Sequence, residues 1–139
     1  MAAINFFNED ISFKLPHPRK TSAWIKLVAQ KEKHSVNQIN LIFCSDEYLR
    51  AKNIEYLNHK TYTDIITFDN SDTEGELEGD IFISIDRIRE NAGKFTRPFD
   101  EELHRVIIHG VLHLLGYPDK TPQQKSQIHK KEDACLALR

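Results

Sequence analysis

Seven histidines fall at positions 17, 34, 59, 104, 109, 113 and 129. His109 and His113 are four residues apart in a stretch that reads as helix. Four helical residues advance the chain by about 400°, so both imidazoles leave one face, about 6 Å apart along the axis. That spacing lets two rings share one ion. The pair sits inside Val106–Leu115, the most apolar stretch of the chain, where an unpartnered polar ring costs about 2 kcal/mol or more. A metal satisfies both rings at once. Gly116 then permits the left-handed turn that ends the helix, Tyr117-Pro118 stiffens the return, and Asp119 follows as a third donor. An H-x-x-x-H pair alone arises by chance about 0.3 times in a chain of this composition, and the full H-x-x-x-H-x-x-G-x-x-D spacing about two or three times in a thousand chains. The longer pattern is therefore the informative one. Three protein donors with an open fourth position is the catalytic form of a zinc site, so one divalent ion per chain is expected, with zinc the ion the donor set suits. The metalloprotease pattern H-E-x-x-H places its general base directly after the first His. Here that position is Gly110, so the base comes from elsewhere or the metal alone makes the hydroxide.

The elements that must position these residues alternate along the chain. Ile4–Phe7 and Ile11–Leu15 read as short strands around Asn8-Glu9-Asp10. Thr21-Ser22 reads as the cap of a helix with Trp24, Leu27 and Val28 on its inner stripe. Ile39–Cys44 reads as a buried strand, and Ser45-Asp46-Glu47 starts a helix that turns Leu49, Ile54 and Leu57 inward. Ile65–Phe68 is a strand, an acidic loop follows, and Asp80–Ile85 is the next strand. A helix runs through Ile88 to Phe95 and Pro98 stops it. Asp100 caps the His-bearing helix, whose first turn holds Glu101 and Glu102. Gly116 ends that helix, and Thr121-Pro122 opens a last one with Pro at its first position. The order describes one α+β or mixed α/β domain over residues 1–139.

Composition bounds the function. At 139 residues, with 40% hydrophobic and 29% charged, the chain supports one core. A net charge of −2 argues against coating nucleic acid by bulk charge, though it allows a local basic groove. Charge is uneven: Lys14, Arg19, Lys20, Lys26, Lys31 and Lys33 lie in one segment, whereas Asp69 to Asp80 holds six acids and no base. Cys44 and Cys135 have no C-x-x-C partner, which excludes a Cys-based zinc site and reads as two buried, reduced thiols. The start of the chain lacks the basic and apolar regions of a signal peptide, and no apolar run is long enough for a bilayer. A cytoplasmic protein with no membrane association and no nucleotide cofactor is the expectation.

The segment His109-Gly110-Val111-Leu112-His113-Leu114-Leu115-Gly116-Tyr117 resembles the signature of the YbeY family, bacterial metal-dependent endoribonucleases of ribosomal RNA maturation, whose pattern is H-G-x-L-H-L-x-G-Y-D-H. Tyr56 and Thr63-Asp64-Ile65-Ile66-Thr67-Phe68 resemble its Y-R…P-T-D-V-L-S-F block, and Gly79-Asp80-Ile81 its G-D-I strand. The blocks span residues 39 to 119 in the right order. The resemblance implies a mixed sheet of about four strands flanked by helices, a zincin-like metal-binding helix, and a cleft lined by Thr63–Phe68. It implies single-strand-specific cleavage of RNA in the late processing of the 16S rRNA 3′ end, a part in ribosome quality control, and contact with the small ribosomal subunit. Asp119 stands where the family has its third His, Leu57 where it has an Arg that faces phosphate, and Tyr62 where it has Pro. Lys60 or Arg105 could supply the missing cation.

Other residues have simpler readings beside the functional ones. His104 is about 140° around the helix from His109 and reads as structural or solvent-facing. Glu102, nearly on the His109 face, could accept a hydrogen bond from a ligand, but an exposed first-turn acid is the simpler reading. Asp64 and Asp80 read as strand-start residues or as cleft residues. His129 reads as surface, and Trp24 and the Phe residues as core. Two rival functions share the metal spacing: a small zinc metallopeptidase or other metallohydrolase, and a non-catalytic ribosome assembly factor that keeps its metal.

Overall fold

β-Branched runs build the centre of the sheet. The computed structural model, which describes residues 3–57 and 63–139, pairs β2 (Ser35–Cys44) with β4 (Glu76–Ser84) in parallel. β1 (Ala3–Asn8) lies parallel to β2 on one side, and β3 (Ile65–Asp69) lies antiparallel to β4 on the other. The order β1-β2-β4-β3 is the mixed four-stranded sheet the resemblance implied, and it leaves β3 as an edge. Among the described residues five helices flank it: α1 (Pro18–Lys31), α2 (Asp46–Leu57), α3 (Ile85–Lys94), α4 (Phe99–Leu114) and α5 (Pro122–Leu136). Among the described residues no helix is long and apolar enough to cross a membrane.

Strand alternation sorts the side chains onto two faces. Ile39, Leu41 and Phe43 of β2 join Leu77, Ile81 and Ile83 of β4 in the main core, with Trp24, Ile25 and Val28 of α1, Ile88 of α3, Ile107, Val111 and Leu112 of α4 and Ile128 of α5. The opposite face holds a smaller cluster of Cys44, Leu49 and Ile66, with Tyr48, Phe68 and Phe82 against it. Both thiols are buried and unpaired. Burial pushes the Cys44 thiol up to about 12, so it stays protonated and inert.

Several local expectations are corrected. Ile11–Leu15 is not a strand. The chain bends after β1, where Asn8 Nδ2 donates to the Phe13 carbonyl at 2.8 Å and Asp10 accepts from the Ser45 amide at 2.9 Å. Phe13 and Leu15 then fill the core as loop residues, Phe13 edge-on to Phe43. α1 begins at Pro18, with His17 at its cap in the left-handed region. Thr21 is buried inside the helix, and Ile25, not the exposed Leu27, completes the inner stripe. In α2, Leu49 is buried and Ile54 half-buried, whereas the side chain of Leu57 lies outside the described residues. β4 starts at Glu76, inside the acidic run, and Ile85 opens α3 instead of ending the strand. Pro98, not Asp100, occupies the cap of α4. α5 matches its reading: Thr121 accepts from the Gln124 amide, and Gln124 reaches back to the cap amide. Trp24 is buried, but Phe7 and Phe95 are exposed.

His104 locks α4 against α1. Its Nδ1–H donates to the Asp100 carbonyl at 2.7 Å, and its ring meets Trp24 edge-on at 5.8 Å. Burial lowers its pKa below the ordinary 6.5 and outweighs the opposing pull of the Asp100 carbonyl. As pH falls through 6.5, the unfolded chain therefore takes up a proton that the folded chain refuses, and stability falls with it. The metal-free His104→Gln variant should show a shallower loss of Tm over that acid window than the parent, measured by melts at a series of pH values.

Candidate metal centre

The helix geometry delivers both rings to one place. α4 carries His109 and His113 one turn apart, and their Nε2 atoms are 2.9 Å from each other. The helix ends at Leu115, and Gly116 follows with φ 101°, a left-handed conformation that a side chain would strain. The Tyr117 amide returns to the Leu112 carbonyl at 3.0 Å, which turns the chain back over the helix. Asp119 Oδ2 then lies 3.2 Å from His109 Nε2 and 3.2 Å from His113 Nε2. The three residues are half-buried and are the only group of metal-ligand type that converges among the described residues.

These separations fit a small divalent ion. Bonds of about 2.0–2.2 Å in tetrahedral array hold donor atoms about 3.3–3.6 Å apart, close to the two 3.2 Å separations, and the 2.9 Å ring–ring separation has only to open by a few tenths of an ångström. Two ring nitrogens and a carboxylate oxygen crowded this closely need a proton or a cation between them, and a shared metal ion satisfies all three at once. The two rings also differ. Burial alone would push His109 down, but Glu132 at its Nδ1, with Asp119 and Asp64 nearby, holds its pKa above the ordinary value. Burial and the neighbouring His109 push His113 below it. Because an ion must displace any proton from its ligands, metal affinity should fall as pH is lowered through the raised His109 value.

A cleft of about 490 Å³ opens beside these donors, lined by Thr63–Thr67, Asp69, His109, His113, Asp119 and Lys120. Successive residues of β3 point to opposite faces, so the presence of both Ile65 and Ile66 means that the cleft follows the strand's unpaired edge. Asp64 lines this cleft and a second one behind it, where Glu102, Arg105 and Glu132 also lie. Burial pushes the Asp64 carboxyl above its ordinary range, against the pull of His109.

Of the other expected residues, Glu102 and Arg105 line the cavity behind the donors, beside His109 and Asp119, and Asp80 lies away from it. Glu102 is not an exposed acid: it is buried and paired with Arg97 at 3.0 Å. The Arg105 guanidinium is committed to Glu132 at 3.0 Å and Asp133 at 2.6 Å. Asp80 sits within β4 on the far face, in a polar ladder in which Asn5 donates to Asn40, and Asn40 and Asn70 donate to Asp80. Lys60 and Tyr62 lie outside the described residues. His129 is exposed, as expected. Two residues near the donors were not legible beforehand: Lys120, which borders the cleft, and Glu132 of α5, whose Oε2 is 2.5 Å from His109 Nδ1. Lys120 could have been found from its place beside Asp119. Nothing in sequence spacing points from Glu132 to His109.

Gly110 follows His109, and the structure shows why no acid stands there. A Cβ at this position would lie 2.8 Å from Ile65 Cδ1 and 2.9 Å from Ile81 Cγ2. The position faces Ile65 of β3 and Ile81 of β4, and α4 packs too closely there for a side chain as large as Glu.

Comparison with known proteins identifies the family. The model of the family described as endoribonuclease YbeY matches residues 4–138. This chain belongs to the YbeY family. A relative from Cytophaga hutchinsonii named endoribonuclease YbeY is 52% identical over 136 residues, covering 98% of this chain and 95% of its own length. Another of the same name from Amoebophilus asiaticus is 47% identical, covering 97% of this chain and 92% of its own. The solution structure of TM1509 from Thermotoga maritima shares the fold, with a TM-score of 0.65, 24% identity, and coverage of 97% of this chain and 87% of that one.

Asp119 is the one donor position at which this member differs from the family pattern as read from sequence. Asp119→Ala is expected to weaken metal binding by more than about tenfold. Asp119→His should retain the ion and shift any pH–rate profile to lower pH, because a third neutral ring leaves one more positive charge on the site. Competition with a chromophoric chelator measures the first effect, and cleavage rates across pH the second.

Proposed function

We propose that this protein is a metal-dependent endoribonuclease of ribosomal RNA maturation that cuts single-stranded RNA, with zinc held by His109, His113 and Asp119. The observation that carries this reading is the convergence of those three donors at the mouth of an open cleft, in a chain whose relatives are named endoribonuclease YbeY. When bound, a divalent ion there supplies a Lewis acid for phosphoryl oxygen and a water of lowered pKa. The chain's own residues do the rest. The unpaired edge of β3 offers backbone amides and carbonyls to an extended strand. Lys120 offers a cation for phosphate, taking over what Leu57 cannot supply. Asp64, with its raised pKa, holds or releases a proton beside His109. The small ribosomal subunit, as the carrier of the RNA, is the proposed partner, and ribosome quality control is the process that such cleavage would serve.

A cytoplasmic location follows from this reading. The metallopeptidase alternative shares the donor set but lacks its general base, because Gly110, packed against Ile65 and Ile81, holds that position. The test is cleavage of end-labelled single-stranded RNA beside casein, with and without chelator. RNA cut only without chelator, and casein untouched, supports the proposal. Casein cleavage, or RNA binding without any cutting, overturns it in favour of a peptidase or a non-catalytic assembly factor.

A further inference from the structure

We infer that Glu132 is a positioning residue for the metal centre: its buried carboxylate accepts the Nδ1 proton of His109, fixes the ring, and leaves Nε2 free as the donor atom. The inference rests on the metal reading above and concerns a residue on a different helix, remote in sequence from the three donors.

Glu132 belongs to α5 and is 5% exposed. A carboxylate so deeply placed needs partners for both oxygens. Oε1 accepts from Arg105 Nη1 at 3.0 Å, and Oε2 faces His109 Nδ1 at 2.5 Å. Arg105 lies one turn before His109 on α4, so one face of that helix presents a cation and an imidazole to a single acid. Arg105 also donates to Asp133 at 2.6 Å, which fixes its guanidinium independently. An ion pair that merely joined α4 to α5 would need only the first of these contacts. The second selects a tautomer: a ring that gives its proton to Glu132 through Nδ1 keeps its lone pair on Nε2. That Nε2 is the atom 2.9 Å from His113 Nε2 and 3.2 Å from Asp119 Oδ2. The carboxylate also makes the imidazole a stronger donor to a cation. α5 is thereby part of the centre, although none of its side chains reaches the three donor atoms.

The test uses the full chain stripped of metal and titrated with zinc against a chromophoric chelator. Glu132→Gln keeps the shape of the side chain and removes its charge. Zinc affinity should fall by about 10–100-fold in that variant, with the circular dichroism of the metal-free protein unchanged. Asp133→Asn, which touches the same Arg105 and the exposed His129 but neither ligand histidine, should stay within about twofold of the parent. A second measurement needs no variant. In the parent loaded with cadmium-113 and labelled with nitrogen-15 at histidine, the metal coupling should run to His109 Nε2, and the Nδ1 proton should exchange slowly. If Glu132→Gln binds zinc as tightly as the parent, or the coupling runs to Nδ1, the inference is overturned while the metal centre stands. A parent that takes up no zinc overturns the centre itself, and this inference with it.

Discussion

His113→Ala is expected to lose metal binding and RNA cleavage together while keeping the fold. The side chain is 26% exposed, at the border of the cleft and outside the main core, so truncation leaves no large cavity. Its loss reduces three donors to two, and the remaining pair, His109 and Asp119, cannot close the same array around a cation. The clearest readout is stability with and without metal. An ion that binds only the folded chain adds RT ln(1 + [L]/Kd), about 2.7 kcal/mol at a hundredfold excess over Kd. The parent should therefore gain several degrees in Tm when zinc is added, and the variant almost none. In the metal-free proteins the two melts should lie close together, since the variant also relieves the crowding of the two Nε2 atoms. A variant that keeps the zinc-dependent gain would remove His113 from the ligand set.

The second large effect is expected at Gly110, where Gly110→Glu should abolish folding instead of creating a protease. The first atom of any side chain there meets Ile65 and Ile81 at less than 3 Å, and the rest would have to enter the space between α4 and the sheet. Overpacking costs about 1–3 kcal/mol, and a buried carboxylate without a partner adds about 3 kcal/mol or more. Together these approach the whole stability of a domain, about 5–15 kcal/mol. Gly110→Ala is the milder control. Its Cβ meets the end of Ile65 and the branch methyl of Ile81, which must shift by a few tenths of an ångström, while Ala gains about 1 kcal/mol over Gly in helix propensity, so it should fold with a reduced denaturant midpoint. Expression in folded form and urea melts distinguish the two. A well-folded Gly110→Glu protein would mean that α4 sits farther from β3 and β4 than the structure has it.

What the residues disclosed in advance follows from the range of the forces involved. His109, His113, Gly116 and Asp119 were legible because a helical turn and a glycine hinge fix their geometry within eleven positions. The resemblance to the YbeY family drew on that segment together with the Thr63–Phe68 and Gly79–Ile81 blocks. Glu132 was not legible, because its approach to His109 is made by two helices packing together. The exposed reading of Glu102 was overturned for the same reason: its first-turn position suggested solvent, but Arg97 pairs with it and it is buried. The strand errors have local causes. Glu76, Glu78 and Asp80 alternate with Leu77, Gly79 and Ile81, the period of a half-exposed strand, but their charge suggested a loop. Pro18 at the first helical position marked the start of α1 better than Thr21-Ser22 did. Ile11–Leu15 is apolar because it covers the core, with no neighbouring strand to pair with it.

The most direct measurement of the central claim is stoichiometric reconstitution of cleavage. The purified chain is stripped with chelator, and zinc or manganese is returned in steps while cutting of labelled single-stranded RNA is followed. Cleavage should vanish on stripping, return in proportion to added metal, and level off at about one ion per chain. Cutting that survives stripping, or that returns equally in His113→Ala, would contradict the account.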